Sequence, residues 1–326
     1  MAEKLQKIKS TSRSSIISWL QGNLVSVGVV VTVLMLFIPL PKFLIDIAMV
    51  VNLAIGLVIL LTVIYTRRAA DFSSFPQVTL FVTLFGLAIN VSSTRLILFN
   101  PSANKNQLLM GQSEMVQAFA NIVAGSNLLV GFIIFIILIV VQVVVVTKGA
   151  GRVSEVSARF TLDSMNSKMF DIQNDLNAGA ITEEEAALRK AQIRREVDFY
   201  STMDGASKFV SGNVKVGIFI TAVNLIGGFI TSQIVDMPLS DALDTYAKLT
   251  IGDGLLSQLP SLMLSFATGI LVTGSSNDEF IGDQLKKNFS IDGTIYIIVG
   301  AALALLGLAF HNGSSFVLIP IAAIFV

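Results

Sequence analysis

The sequence predicts an all-α, polytopic membrane protein. Three observations carry the prediction. Of its 326 residues, 53% are hydrophobic and only 13% charged, with mean hydropathy +0.77. A soluble domain carries about 25% charged residues. Apolar runs long enough to cross a bilayer recur along the chain. The basic residues also cluster on one side of those runs.

A spanning helix needs roughly 20 mostly apolar residues. Six runs meet or approach this: 24–40, 43–65, 128–147, 216–233, 255–273 and 294–310. Two more are weaker. The run 78–99 contains Asn90, Ser92, Ser93, Thr94 and Arg95, and the run 316–326 is short. With both, about eight transmembrane helices are expected. Lys4, Lys7, Lys9 and Arg13 precede the first run, which no small-residue cleavage site follows, so it reads as a retained anchor. The last run ends at Val326 without a flanking charge, and the native chain is expected to continue into the cytoplasm.

Basic residues orient the chain. With the N-terminus inside, Arg67, Arg68, Lys286, Lys287 and ten basic residues from Lys148 to Lys215 join the N-terminal four on the cytoplasmic side. Lys42, Lys105 and Lys248 fall opposite, and Arg95 stays inside a span. That orientation makes the chain a multi-pass membrane protein with a cytoplasmic N-terminus, with membrane lipid as the surrounding partner. Net charge is zero, so bulk charge says nothing about nucleic acid, and no nucleic-acid partner is expected.

Three segments are expected: 1–147 with the first four spans, 148–215 as a cytoplasmic helical subdomain, and 216–326 with the rest. The middle segment matches its ten basic residues with ten acids. Within it, Asn177-Ala178-Gly179 marks a turn, and Thr182 with Glu185 forms a capping box that starts a helix. Glu183–Glu185 is therefore a helix start, not a metal site. No cysteine and a single histidine, His311, argue against a metal centre or a cofactor. Lys148-Gly-Ala-Gly-Arg152 lacks the ending of a phosphate-binding loop. Nothing in the residues spells an enzyme.

Six short motifs recur in order. They are Asp71-Phe-Ser-Ser-Phe-Pro76, Leu87-Ala-Ile-Asn-Val-Ser-Ser-Thr-Arg-Leu96, the stretch Thr147 to Asp163, Asp175-Leu-Asn-Ala-Gly179, the stretch Asp198 to Phe209, and Thr250-Ile-Gly-Asp-Gly-Leu-Leu-Ser-Gln-Leu-Pro-Ser261. Together they resemble the FHIPEP family, the membrane proteins of flagellar and virulence type III export gates. Met203-Asp-Gly-Ala-Ser-Lys-Phe209 is similar to the flagellar form. The resemblance implies a homo-oligomeric, nonameric ring beside other export-gate membrane proteins. It implies coupling of the proton motive force to protein export. It also implies a large cytoplasmic domain beyond the last span, which docks exported proteins and chaperones. The chain departs from the family at Gly86, where an arginine is usual. It departs again at Ser211-Gly212-Asn213, where Arg-Gly-Asp is usual, and at Asn166-Ser167-Lys168-Met169, where Pro-Gly-Lys-Gln is common.

Ionisable groups inside a span cost about 2.5–3.5 kcal/mol on insertion scales and are functional candidates by default. Asp46, Arg95 and Asp253 are the ion or proton pathway candidates. Asp46 reads either as an interfacial acid or as a pathway group. Arg95 reads as a snorkelling cation or as part of a polar stripe. Asp253 lies between Gly252 and Gly254, which are expected to loosen the helix and free backbone groups. It reads as a turn or cap opening the sixth span, or as a carboxylate for reversible protonation. In the cytoplasmic segment, Arg152, Arg159, Asp163, Asp198, Asp204 and Lys208 are candidates for one polar network; solvated helix faces are the alternative. Two other functions fit the same residues: an ion-coupled secondary transporter, and a non-conducting scaffold for the cytoplasmic domain.

Overall fold

The computed structural model describes residues 23, 26–99, 101–125, 127–274, 282–283, 286–287, 297–302 and 304. Among them there is helix and no strand. The chain divides into two units: residues 1–63 with 68–276, and residues 64–67 with 277–326. Only short helical pieces of the second are described. The expected seventh and eighth spans and His311 lie mostly or wholly outside the described residues, as does the basic N-terminus.

In the first unit, α1 runs Ser26–Phe37. It is followed by α2 (Lys42–Ile64), α3 (Phe75–Phe99), α4 (Lys105–Met110), α5 (Glu114–Ala124), α6 (Leu128–Gln142), α7 (Gly151–Asn177), α8 (Glu183–Ile234) and α9 (Leu239–Thr273). Four of these, α2, α3, α8 and α9, are long and apolar enough to cross a membrane, or five spans if bent α5–α6 counts as one. That is fewer than the eight expected. The first predicted span is the shorter helix α1.

Two predicted boundaries move. The run 216–233 is not a separate helix. It is the far half of α8, whose 52 residues begin at Glu183. At 1.5 Å per residue α8 is about 78 Å long, far more than the ~30 Å bilayer core. No proline interrupts it, and Gly205, Gly212, Gly217, Gly227 and Gly228 cost only about 1 kcal/mol each. Similarly, α9 begins at Leu239, sixteen residues before the apolar run that announced it. The polar stretch Ser240–Thr250 hides that start from a hydropathy reading.

The helix ends follow local chemistry. Thr182 caps α8 by accepting from the Glu185 backbone N–H at 3.2 Å. Gly179, at φ +70°, turns the chain between α7 and α8, a left-handed conformation glycine adopts without strain. The two helices fold back as a hairpin stapled by Ile172, Ile181, Ala186 and Ile193. Its base is anchored: Phe199 and Met203 of α8 pack with Ile59, Phe75, Val82, Leu264 and Leu271. Between α6 and α7, Val143–Ala150 winds as a wide π-turn, so helix continues from the fourth predicted span into the hairpin.

The core centres on α9. The apolar stretch of α9 is 56% buried, against 17% for that of α8. Large apolar side chains such as Phe43, Val58 and Phe219 face outward, as lipid-facing surface must.

A candidate polar site inside the helix cluster

Asp253 lies near the middle of α9, not at its start. Its side chain is buried, with the residue 2% exposed. The flanking glycines permit close helix contact and do not loosen the helix. A Cβ on Gly252 would come within 2.1 Å of the Val116 carbonyl oxygen of α5. One on Gly254 would meet the Phe135 ring of α6 at 2.7 Å. Small residues of this kind let helix backbones approach in a membrane. The turn-or-cap reading of Asp253 therefore falls.

What surrounds the carboxylate is polar but sparse. Asn224 of α8 donates from Nδ2 to Asp253 Oδ2 at 3.0 Å. Ser93 of α3 faces the same carboxylate without closing a hydrogen bond. Asp253 Oδ1 and Asn224 Oδ1 have no partner among the described residues. An unmet polar atom away from water costs several kcal/mol in lipid. The site thus holds unspent hydrogen-bonding capacity, which a proton, water or small cation could use.

The polarity continues along α9. Ser257, Ser261 and Ser265 follow Asp253 at four-residue steps, about 6 Å apart each. Asn213 Nδ2 of α8 reaches Ser261 Oγ at 3.4 Å. Asn90, Gln142, Asn213, Ser257, Gln258 and Ser261 are among the residues around a small cavity of about 10 Å³. That is room for about one water, and the lining supplies the two to four polar partners it needs. Asn90 Oδ1 and Asn213 Oδ1 are unpartnered there.

The structure keeps the three predicted ionisable groups on separate contacts. Asp46 of α2 caps α5. It accepts from the Ser113 hydroxyl and from the backbone N–H groups of Glu114 and Met115, each at 3.3 Å. A carboxylate there also faces the positive end of the helix dipole. Arg95 binds the last turn of α1, donating to the carbonyls of Leu36 at 2.9 Å and Phe37 at 3.2 Å. Ser92 joins it by donating to Met35 O at 2.8 Å. The sequence left Arg95 as a snorkelling cation or part of a polar stripe, and the structure sets it with Ser92 against the last turn of α1.

The predicted cytoplasmic network does not assemble within one chain. Arg152 pairs with Glu155 at 3.1 Å, and Lys208 with Asp204 at 2.6 Å, both within one helix. That hydrogen bond from Lys208 to Asp204 holds the ammonium's pKa above its ordinary value, in a part of α8 upstream of the apolar stretch. Arg159, Asp163 and Asp198 are exposed and make no ion pair among the described residues. Asn224 and Gln142 were not singled out from the sequence; an amide inside an apolar run is the signal that finds them.

The chain matches the FHIPEP family over residues 32–326. It belongs to that family. This FHIPEP chain is similar to the flagellar biosynthesis protein FlhA of Treponema pallidum, 49% identical over 287 residues, which is 86% of this chain and 39% of that protein. It is also similar to FlhA of Borreliella burgdorferi, 44% identical over 92% of this chain and 43% of that protein. FlhA of Salmonella typhimurium is 41% identical over 84% of this chain and 39% of that protein. The FHIPEP chain therefore spans about two fifths of the length of these relatives. No solved structure matches it. A Cβ on Gly86 would lie 3.3 Å from Asn52 Nδ2. Asn213 has the size of an aspartate without its charge, and its Nδ2 donates where a carboxylate would accept.

Proposed function

We propose that this chain is the membrane part of a flagellar protein-export gate subunit, and that Asp253 handles the protons that energise export. Family membership and the flagellar relatives support the first half. The second half rests on one observation: a buried carboxylate with one oxygen bonded to Asn224 and the other unpartnered. In this reading Asp253 takes a proton at Oδ1 and releases it along the polar file of α9. The water-sized cavity near Asn213 and Ser261 supplies the next acceptor.

The rest of the reading follows. The protein is a transport component rather than an enzyme. It sits in the bacterial inner membrane with its N-terminus and the 148–215 hairpin in the cytoplasm. Copies assemble as a ring with the other gate proteins. Exported flagellar proteins and chaperones dock on a domain beyond the last span. The exposed Arg159, Asp163 and Asp198 are free to pair across subunits, which supports a network between copies instead of within one.

The test is secretion of flagellar proteins from cells whose only copy carries Asp253→Asn. The amide keeps size and shape but cannot cycle a proton. Export should fall at least tenfold with normal protein levels in the membrane. Undiminished export would end the proton-handling role and favour a non-conducting scaffold.

A further inference from the structure

A basic pocket of about 560 Å³ opens where the π-turn after α6 meets α7 and α8. Its charged lining is Lys148, Arg152, Lys208, Lys215 and a single acid, Glu155. Two of the cations are already matched, Arg152 by Glu155 and Lys208 by Asp204. Lys148 and Lys215 have no carboxylate partner among the described residues. The floor is open, since a Cβ on Gly212 would meet nothing within 4 Å.

The pocket's level in the chain matters. Lys148 ends the apolar run 128–147, and Lys215 immediately precedes the run that starts at Val216. Both therefore mark the same edge of the apolar layer. Val144 comes four residues before Lys148, Val216 and Phe219 come one and four residues after Lys215, and all three are exposed. Cations over a lipid-facing apolar column match the two ends of one molecule. A free phosphate would use the lysines and leave the column bare.

We infer that this pocket binds the headgroup of an anionic phospholipid, with Lys148 and Lys215 on its phosphate and the acyl chains along Val144, Val216 and Phe219. The chemistry is ordinary: lysine meets phosphate as a point charge, and basic pockets at the cytoplasmic membrane edge hold acidic headgroups. The site rests on the membrane-spanning fold and not on the export reading, so lipid binding is measured without any export assay.

The test titrates the full-length protein in mild detergent with phosphatidylglycerol or phosphatidylcholine and reads bound lipid by native mass spectrometry. Phosphatidylglycerol should bind at least tenfold tighter than phosphatidylcholine. The double variant Lys148→Gln/Lys215→Gln should weaken phosphatidylglycerol by about 30-fold and leave phosphatidylcholine unchanged. Lys148→Arg/Lys215→Arg should keep the preference, which separates lost charge from lost folding. Millimolar inorganic phosphate should not displace the lipid. Equal binding of the two lipids, or an unchanged preference in the glutamine variant, would overturn the site. So would displacement by inorganic phosphate, which marks a soluble-anion site. A glutamine variant that alters oligomeric state while lipid binding stays intact would assign the pocket to a second copy instead.

Discussion

Asn224 and Asp253 meet across 3.0 Å although 29 residues separate them, and each is almost wholly buried. This bond joins the two longest helices at a level where neither residue reaches water within the chain. It is also the one hydrogen bond that the Asp253 carboxylate accepts among the described residues, so its removal has a defined consequence.

Asn224→Leu should destabilise the protein by about 1 kcal/mol in wild-type background, as interhelical polar contacts in membranes do. In an Asp253→Asn background the cost should shrink, because no charge is left unpaired. A double-mutant cycle on thermal unfolding in detergent checks this. Additive effects would mean that the two side chains are not coupled.

Gly252→Ala should be far worse than Gly269→Ala, although both change one glycine of α9. The first drives a methyl into the Val116 carbonyl, while the second meets open space. Overpacking of this kind costs about 1–3 kcal/mol. The exposed-space substitution should be neutral or stabilising by less than about 1 kcal/mol. Unfolding midpoints of the two variants, measured side by side, decide it.

Asp46→Ala should loosen α5 by about 0.5–2 kcal/mol, the ordinary worth of an N-terminal capping group. Asp46→Asn should retain most of that, since an amide oxygen still accepts from Glu114 and Met115. Amide hydrogen exchange over residues 114–118 is the measurement. Equal protection in all three proteins would remove the capping role.

Arg95→Leu should release the last turn of α1, raising amide exchange over residues 33–37 while α9 stays protected. Arg95→Lys should lie between, because a single ammonium replaces two guanidinium contacts to Leu36 and Phe37.

The absence of cysteine leaves a clean background for labelling. A single cysteine at Lys190 should resist a membrane-impermeant thiol reagent in intact cells, and one at Asn104 should react. Labelling at the Lys190 position from outside would invert the orientation and with it the export reading.

Much of the fold is legible in residue order. The apolar runs gave α2, α3 and the deep parts of α6, α8 and α9, because lipid demands consecutive apolar residues and internally bonded backbone. Thr182 and Gly179 announced the hairpin through local capping and turn chemistry. The full lengths of α8 and α9 were not legible, because their polar halves carry no hydropathy signal and are held by packing.

What the sequence determined by itself is therefore the helical membrane class, the family and the presence of an acid at 253. Tertiary structure alone decided that Asp253 sits mid-helix against Asn224, that Asp46 and Arg95 cap other helices, and that Lys148 and Lys215 line one pocket. The physical reason is range. Hydropathy and capping act between neighbours in sequence, whereas a buried polar atom's partner is chosen by which helix faces pack together.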